Sequence, residues 1–194
     1  MWSEQSSTEY FKELVESAIK HQQVTTDETV RYYIVNLLVK CVDADELHDD
    51  DEPLAITFNK ATRASLSKQS MIYRRIGDLS LYLSGFFSES LSRKLVDVDY
   101  YIELGKASYG NLAHLESGCK RPAALTEVYT ELARRFLTFT EILTEVSERC
   151  SLTSNTNILR LYEKWLRTRS KLAARMLRDI GIEPLNNITV DPIQ

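Results

Sequence analysis

Glycine and proline are scarce in this sequence, at 6 and 4 of 194 residues. So few turn formers argue against the many short strands of a β architecture and favour long helices. Cysteine is scarcer still. Cys41, Cys119 and Cys150 are an odd number with no Cys-x-x-Cys spacing, which argues against a disulfide framework and a zinc ribbon. The longest apolar run, Tyr32 to Val39, is broken by Asn36 and falls far short of the roughly 20 residues of a membrane span. Met1 to Ser7 has neither the basic start nor the apolar core of a signal peptide, so the expected location is the cytoplasm. An excess of positive charge is missing too. With 24 Lys and Arg against 28 Asp and Glu, the net charge of −4 argues against general nucleic-acid binding.

What is present is an ordinary globular balance, 43% hydrophobic and 27% charged, enough for a core that needs no metal or disulfide. The helical period recurs in segment after segment, and an all-α, single-domain bundle of about seven helices is the expected fold. The domain spans 1–181 and a short tail, 182–194, carries Pro184 and Pro192. Phe11, Leu14, Val15, Ala18 and Ile19 form the stripe of a first helix, about 8–22. Thr25 and Glu28 have capping-box spacing ahead of a second, about 26–42, which turns Tyr33, Ile34, Leu37, Leu38 and Cys41 inward. Pro53 suits the first turn of a short third helix bearing Leu54, Thr57, Phe58 and Ala61. A fifth helix, about 97–116, buries Tyr101, Leu104, Ser108, Leu112 and Leu115. A long sixth, about 122–149, carries Leu125, Val128, Tyr129, Leu132, Phe136, Phe139, Leu143 and Val146 on one face. The last, about 156–180, stops before Gly181.

The fourth helix, about 67–87, differs from the rest. Ile72, Ile76, Leu79, Leu83, Phe86 and Phe87 share a face at 100° per residue, with Gly77, Ser80 and Ser84 beside it and Leu81 opposite. A helix that is apolar or small around most of its circumference belongs at the centre of a bundle. Glycine in a helix interior costs about 1 kcal/mol relative to alanine. Gly77 and Gly85 therefore call for compensation, either by close helix packing or by a ligand that needs access to the backbone.

Two charge features stand out. Residues 43–52 hold seven acids and no Lys or Arg. They do not make an EF-hand, because Leu47 stands where an oxygen ligand is needed and His48 where the glycine is needed. On the last helix Arg160, Lys164, Arg167, Lys171, Arg175 and Arg178 fall within about 80° of one another, opposite a face formed by Leu161, Trp165, Leu172 and Met176. That face is the candidate surface for an acidic protein partner or for a second copy of the chain. Arg169 sits on the apolar side of the same helix and Arg75 in the apolar sector of the fourth. Each needs an anionic partner if buried, for which Asp78, Asp97, Asp99 and Glu103 are candidates.

Catalytic signatures are absent. His21, His48 and His114 lie at helix edges or in loops. No Glu-x-x-His pair, nucleophile elbow or phosphate-binding glycine loop occurs, so the expectation leans away from an enzyme, and no metal or cofactor follows from these residues. An alternative is a small-ligand pocket between the fourth and fifth helices, with Arg75, Gly77, Asp78 and Tyr82 on one side, Tyr101 on the other, and Arg169 as a further anion-binding group. Tyr100, Tyr101 and Tyr109 are expected to pack in the core with satisfied hydroxyls.

Tyr73 followed by Ile76-Gly77-Asp78-Leu79-Ser80 resembles the distal haem-facing helix of haem oxygenases. The resemblance implies an all-helical fold and, as the cofactor alternative, haem lying close to the Gly77 backbone with a first-helix histidine, here His21, on the iron. Leu81 and Tyr82 stand where that family has two further glycines. The run Gly77 to Phe87 followed by Val96-Asp97-Val98-Asp99-Tyr100-Tyr101 also resembles small bacterial proteins of unknown function, which implies no activity.

Overall fold

The computed structural model describes residues 4–43, 52–86, 98–117 and 123–150, together with Tyr162, Trp165, Leu166, Ala174, Leu177, Arg178, Ile182 and Glu183. Among them there are seven helices and no strand, as the periodicity predicts: α1 (Glu4–His21), α2 (Glu28–Asp43), α3 (Leu54–Ala61), α4 (Leu66–Phe86), α5 (Val98–Ser117), α6 (Ala123–Arg134) and α7 (Phe136–Cys150). The described residues between 162 and 178 are helical as well. Within 43–52, the side chains of Asp43 to Asp51 lie outside the described residues. So do His48, Asp97, Cys119, Arg160, Lys164, Arg167, Arg169, Lys171 and Arg175.

Helix α4 is the central element. From Tyr73 to Phe86 only Arg74, Arg75 and Asp78 escape full burial. Four helices pack on it: α5, α7, α3 and α2. Helix α1 lies across α2 and α7, and α6 across α5 and α2. The main core gathers the predicted stripes of α1, α2, α6 and α7, with Val15, Ala18, Leu38, Leu132, Phe136, Leu143 and Val146 at 0% exposure. A smaller cluster of Leu79, Leu83 and Tyr101 joins α4 to α5 near the start of α3. Trp165, Ala174 and Leu177 form a third with Tyr162, Leu166 and Ile182.

Three boundaries differ from expectation. Helix α2 begins at Glu28, and Arg31 N–H donates to Asp27 O at 3.1 Å, so Asp27 rather than Thr25 holds the capping position. The Thr25 carbonyl instead accepts from Arg135 at 2.6 Å. Pro53 sits just before α3 with φ −54° and ψ 136°, one residue earlier than predicted. Its carbonyl accepts from Ile56 N–H and Thr57 N–H, and Tyr100 Oη takes the free Ala55 N–H at 3.1 Å.

The expected single helix over 122–149 is two, separated by a turn at Arg135. Backbone bonds from Arg135 N–H to Glu131 O and from Phe139 N–H to Arg135 O bridge the turn. The apolar stripe therefore passes through it in phase. Leu125, predicted on the buried face, is 37% exposed in the first turn of α6.

The end of α1 has a feature that composition hides. Val24 N–H donates to Ile19 O at 3.0 Å and Gln23 N–H to Lys20 O at 3.2 Å, while Gln23 has φ 55°. This is a Schellman stop with glutamine in the left-handed position where glycine is usual. Val24 packs on the core beside the helix it closes. At the other end of the chain Ile182 N–H donates to Leu177 O at 2.8 Å, a closure of the same six-residue span, while Gly181, the predicted stop, lies outside the described residues.

Candidate functional site

The small residues of α4 and α5 mark helix crossings. A Cβ added at Gly77 would lie 2.7 Å from Tyr109 Cε1, and one at Gly105 would lie 2.3 Å from Phe136 Cζ and 3.0 Å from Ser80 Cβ. At Gly85 the neighbour is Leu143 Cβ, at 2.4 Å. Carbon atoms in contact normally stand about 3.5–4.0 Å apart, so each glycine admits a side chain from another helix that no larger residue would allow. Because Gly77 meets Tyr109 while Gly105 meets Ser80, α4 and α5 run antiparallel. Ser84 Oγ lies 3.3 Å from Thr140 Oγ1 and donates to Leu81 O at 3.3 Å, continuing the contact toward α7. The compensation that Gly77 and Gly85 require is thus met by side chains of this chain.

Polar chemistry inside the bundle converges on Asp78. Tyr33, from α2, donates to Asp78 Oδ1 at 2.5 Å, and Tyr109, from α5, donates to the same oxygen at 2.7 Å. Arg74, one turn earlier on α4, places Nε 3.8 Å from Oδ2 and its Cζ 5.9 Å from the Tyr33 ring centre. Tyr129 of α6 lies parallel to Tyr109 at 6.2 Å and edge-on to Tyr33 at 5.7 Å. Four helices therefore meet at one carboxylate framed by three tyrosines.

The electrostatics follow from this placement. Burial pushes the Asp78 carboxyl above its ordinary value, against the pull of the two tyrosine hydrogen bonds and the Arg74 charge. Burial, reinforced by the Asp78 charge, raises the phenols of Tyr33 and Tyr109 well above theirs. Both tyrosines are therefore donors at any physiological pH, and Asp78 is the acceptor that satisfies them.

The predicted site residues separate into distinct surroundings. Gly77 and Asp78 belong to this junction. Tyr82 packs instead against Phe86 at 5.0 Å, and burial, with Cys41 and Cys150 nearby, raises its phenol. Tyr101 lies in the smaller cluster, with its ring 5.2 Å from that of Tyr100. Arg75 is half-buried on another side of α4, so Arg74 is the arginine that faces Asp78. Arg169 and five of the six cations of the last helix lie outside the described residues, whereas Arg178 is described and exposed.

His21 sits at the end of α1. Its Nδ1 lies 3.2 Å from Glu145 Oε2, which also accepts from Gln22 at 2.8 Å, and Arg149 pairs with the same carboxylate. Burial raises the Glu145 carboxyl, but the hydrogen bonds from Gln22 and His21 and the Arg149 charge outweigh it and leave the group below its ordinary value.

Sequence reasoning missed Tyr33 and Arg74 as partners of Asp78. The one available signal was an acid in the buried stretch of α4 with an arginine four residues before it. Among the described residues no helix is long and apolar enough to cross a membrane, and no three His, Cys, Asp or Glu side chains gather to hold a metal ion. Compared with protein-family models, curated proteins and solved structures, the chain matches none.

Proposed function

We propose that this chain is a non-enzymatic helical protein of the cytoplasm that works by association, either as a homo-oligomer or with an acidic protein partner. Its contact surface is the cation-bearing face of the last helix. The observation that supports this reading is the filling of the small-residue crossings. Tyr109, Phe136 and Leu143 occupy the spaces beside Gly77, Gly105 and Gly85. The irregular features of the interior thereby receive a packing explanation, and what remains without one lies on the outside. The surface also carries exposed apolar side chains, among them Tyr32 at 65% and Met71 at 70%, which would suit contact with another protein.

The test is native mass spectrometry of the wild-type chain beside a variant with Arg160, Lys164, Arg167, Lys171, Arg175 and Arg178 changed to Gln. Affinity capture from the host of both forms accompanies it. The association reading expects an assembly, or a captured acidic protein, in the wild type and its loss in the variant. Identical mass and identical captured proteins for the two forms would overturn it.

A further inference from the structure

The two oxygens of Asp78 are served unequally. Oδ1 takes both tyrosine hydroxyls, whereas Oδ2 receives no hydrogen bond among the described residues. The cation paired with it is Arg74, whose Nε stands at 3.8 Å, beyond the roughly 2.7–3.2 Å of an N–H···O bond, and the charge of Lys40 on α2 also acts on the carboxylate. The Asp78 side chain is 21% exposed and that of Arg74 49%, so the corner opens to the surface. Beneath the Arg74 guanidinium lies the face of Tyr33, which the Asp78 bond and the Tyr129 ring hold in place. A carboxylate oxygen with spare capacity and an aromatic face at its side together make a seat for an organic cation.

Arg74 fills this seat poorly for a reason of tethering. It belongs to the same helix as Asp78, one turn earlier, and an arginine placed before its acid is the weaker order for a helix pair. A guanidinium free of that backbone can bring N–H groups directly onto Oδ2 while keeping its plane over Tyr33. We propose that this corner binds an external guanidinium or alkylammonium group, which displaces Arg74 and sits between Asp78 Oδ2 and the ring of Tyr33. The size is already suited to a guanidinium, since one from the chain itself lies there. This proposal is independent of the association reading: it concerns α2 and α4 rather than the last helix, and its test reads ligand contact rather than assembly.

The experiment is a titration of the full chain, with its tyrosine rings isotope-labelled for NMR, against methylguanidinium chloride. Methylurea serves as the neutral isostere and sodium chloride as the ionic control. The expected result is a saturable shift of the Tyr33 ring with methylguanidinium and with neither control. An exposed ion pair holds with about 0.2–1 kcal/mol, so removing the internal competitor in Arg74→Ala should tighten binding about 1.4- to 5-fold. Asp78→Asn, which can still accept both tyrosine hydroxyls, should abolish it. A capped Gly-Arg-Gly peptide forms a further arm. Tighter binding than methylguanidinium identifies an arginine side chain as the natural occupant, and weaker binding identifies a free small cation. Linear, unsaturated shifts matched by methylurea or salt in both the wild type and Arg74→Ala would overturn the proposal. So would undiminished binding by folded Asp78→Asn.

Discussion

Gly105 and Gly110 lie on the same helix, five residues apart, and the same substitution should move stability in opposite directions at the two. At Gly110 an added Cβ meets nothing within 4 Å. Alanine there should contribute the ordinary helix-propensity gain of about 1 kcal/mol. At Gly105 the new carbon would stand 2.3 and 2.4 Å from Phe136 Cζ and Cε2, more than 1 Å inside normal contact. Phe136 is fully buried and cannot simply withdraw. Its ring lies 6.1 Å from that of Tyr109, which is itself packed against Gly77. Overpacking of this kind costs about 1–3 kcal/mol, and with no room for retreat the upper part of that range applies. Offset by the propensity gain, Gly105→Ala should lose about 2 kcal/mol. For a chain of this size that is a Tm lowered by about 4–8 °C, against a rise of about 2–4 °C for Gly110→Ala. Calorimetry and urea unfolding would read both. A third variant, Gly105→Ala with Phe136→Leu, should lose less than the sum of its parts, because the smaller side chain returns the space. If Gly105→Ala stabilised as Gly110→Ala does, the space beside Gly105 would be open and the filled crossing of α4, α5 and α7 would be wrong.

Three further outcomes follow from single residues. Gln23→Gly should stabilise the chain by about 1 kcal/mol in thermal unfolding, since Gln23 is exposed and held at φ 55°, a conformation glycine adopts freely. Asp78→Ala leaves the Tyr33 and Tyr109 hydroxyls without an acceptor and should cost about 2–4 kcal/mol, whereas Asp78→Asn keeps an oxygen for both and should cost far less. The two carboxyls of opposite shift should separate in pH-dependent unfolding. Glu145 lies below its ordinary 4.5, so its contribution is present above that pH and is lost as the pH falls through the lower folded value; Glu145→Gln should flatten the acid side of the stability curve. Asp78 lies above its ordinary 3.8, so its contribution is fully present below that pH and is lost as the pH rises through the folded value; Asp78→Asn should therefore gain on the wild type over that interval and run parallel to it above.

Most of the helices were legible because burial has a period. Most of the stripes of α1, α2 and α4 and the inward side chains of α7 are buried where a 100° wheel puts them; Leu14, Tyr33 and Ile72 are half-buried, and Phe87 lies outside the described residues. What the wheel could not show depends on a second helix. It placed Arg75 in the apolar sector of α4 beside Asp78. The carboxylate is instead approached by Arg74 from its own helix and by hydroxyls arriving from α2 and α5. The turn at Arg135 was equally hidden. Ala133-Arg134-Arg135-Phe136 contains neither glycine nor proline, and the apolar spacing runs through it unbroken. At Gln23 the usual glycine marker of a left-handed stop is missing, so only the backbone reveals the motif. Gly77 carried a real signal of close approach, but a glycine shows only that something comes near. Whether that neighbour is a ligand or a tyrosine of the same chain is settled by topology.

The position of Asp78 links the proposed cation seat to the integrity of the bundle. Its Oδ1 joins α2 to α5 through α4, so those three helices share one anchor, and Tyr129 of α6 leans on both donors. A cation arriving at Oδ2 would favour the ionised carboxylate that both hydroxyls already solvate, without requiring either to move. Binding at the surface should then register as tighter closure of α2 on α4, with slower hydrogen exchange along Tyr33 to Leu38 and little change in α1. A cation bound only by stray surface charge would leave that stretch unchanged, because no tyrosine bond would connect it to the interior. Exchange rates in α2, compared with and without methylguanidinium, thus separate a seat built into the helix junction from a charge lying on top of it.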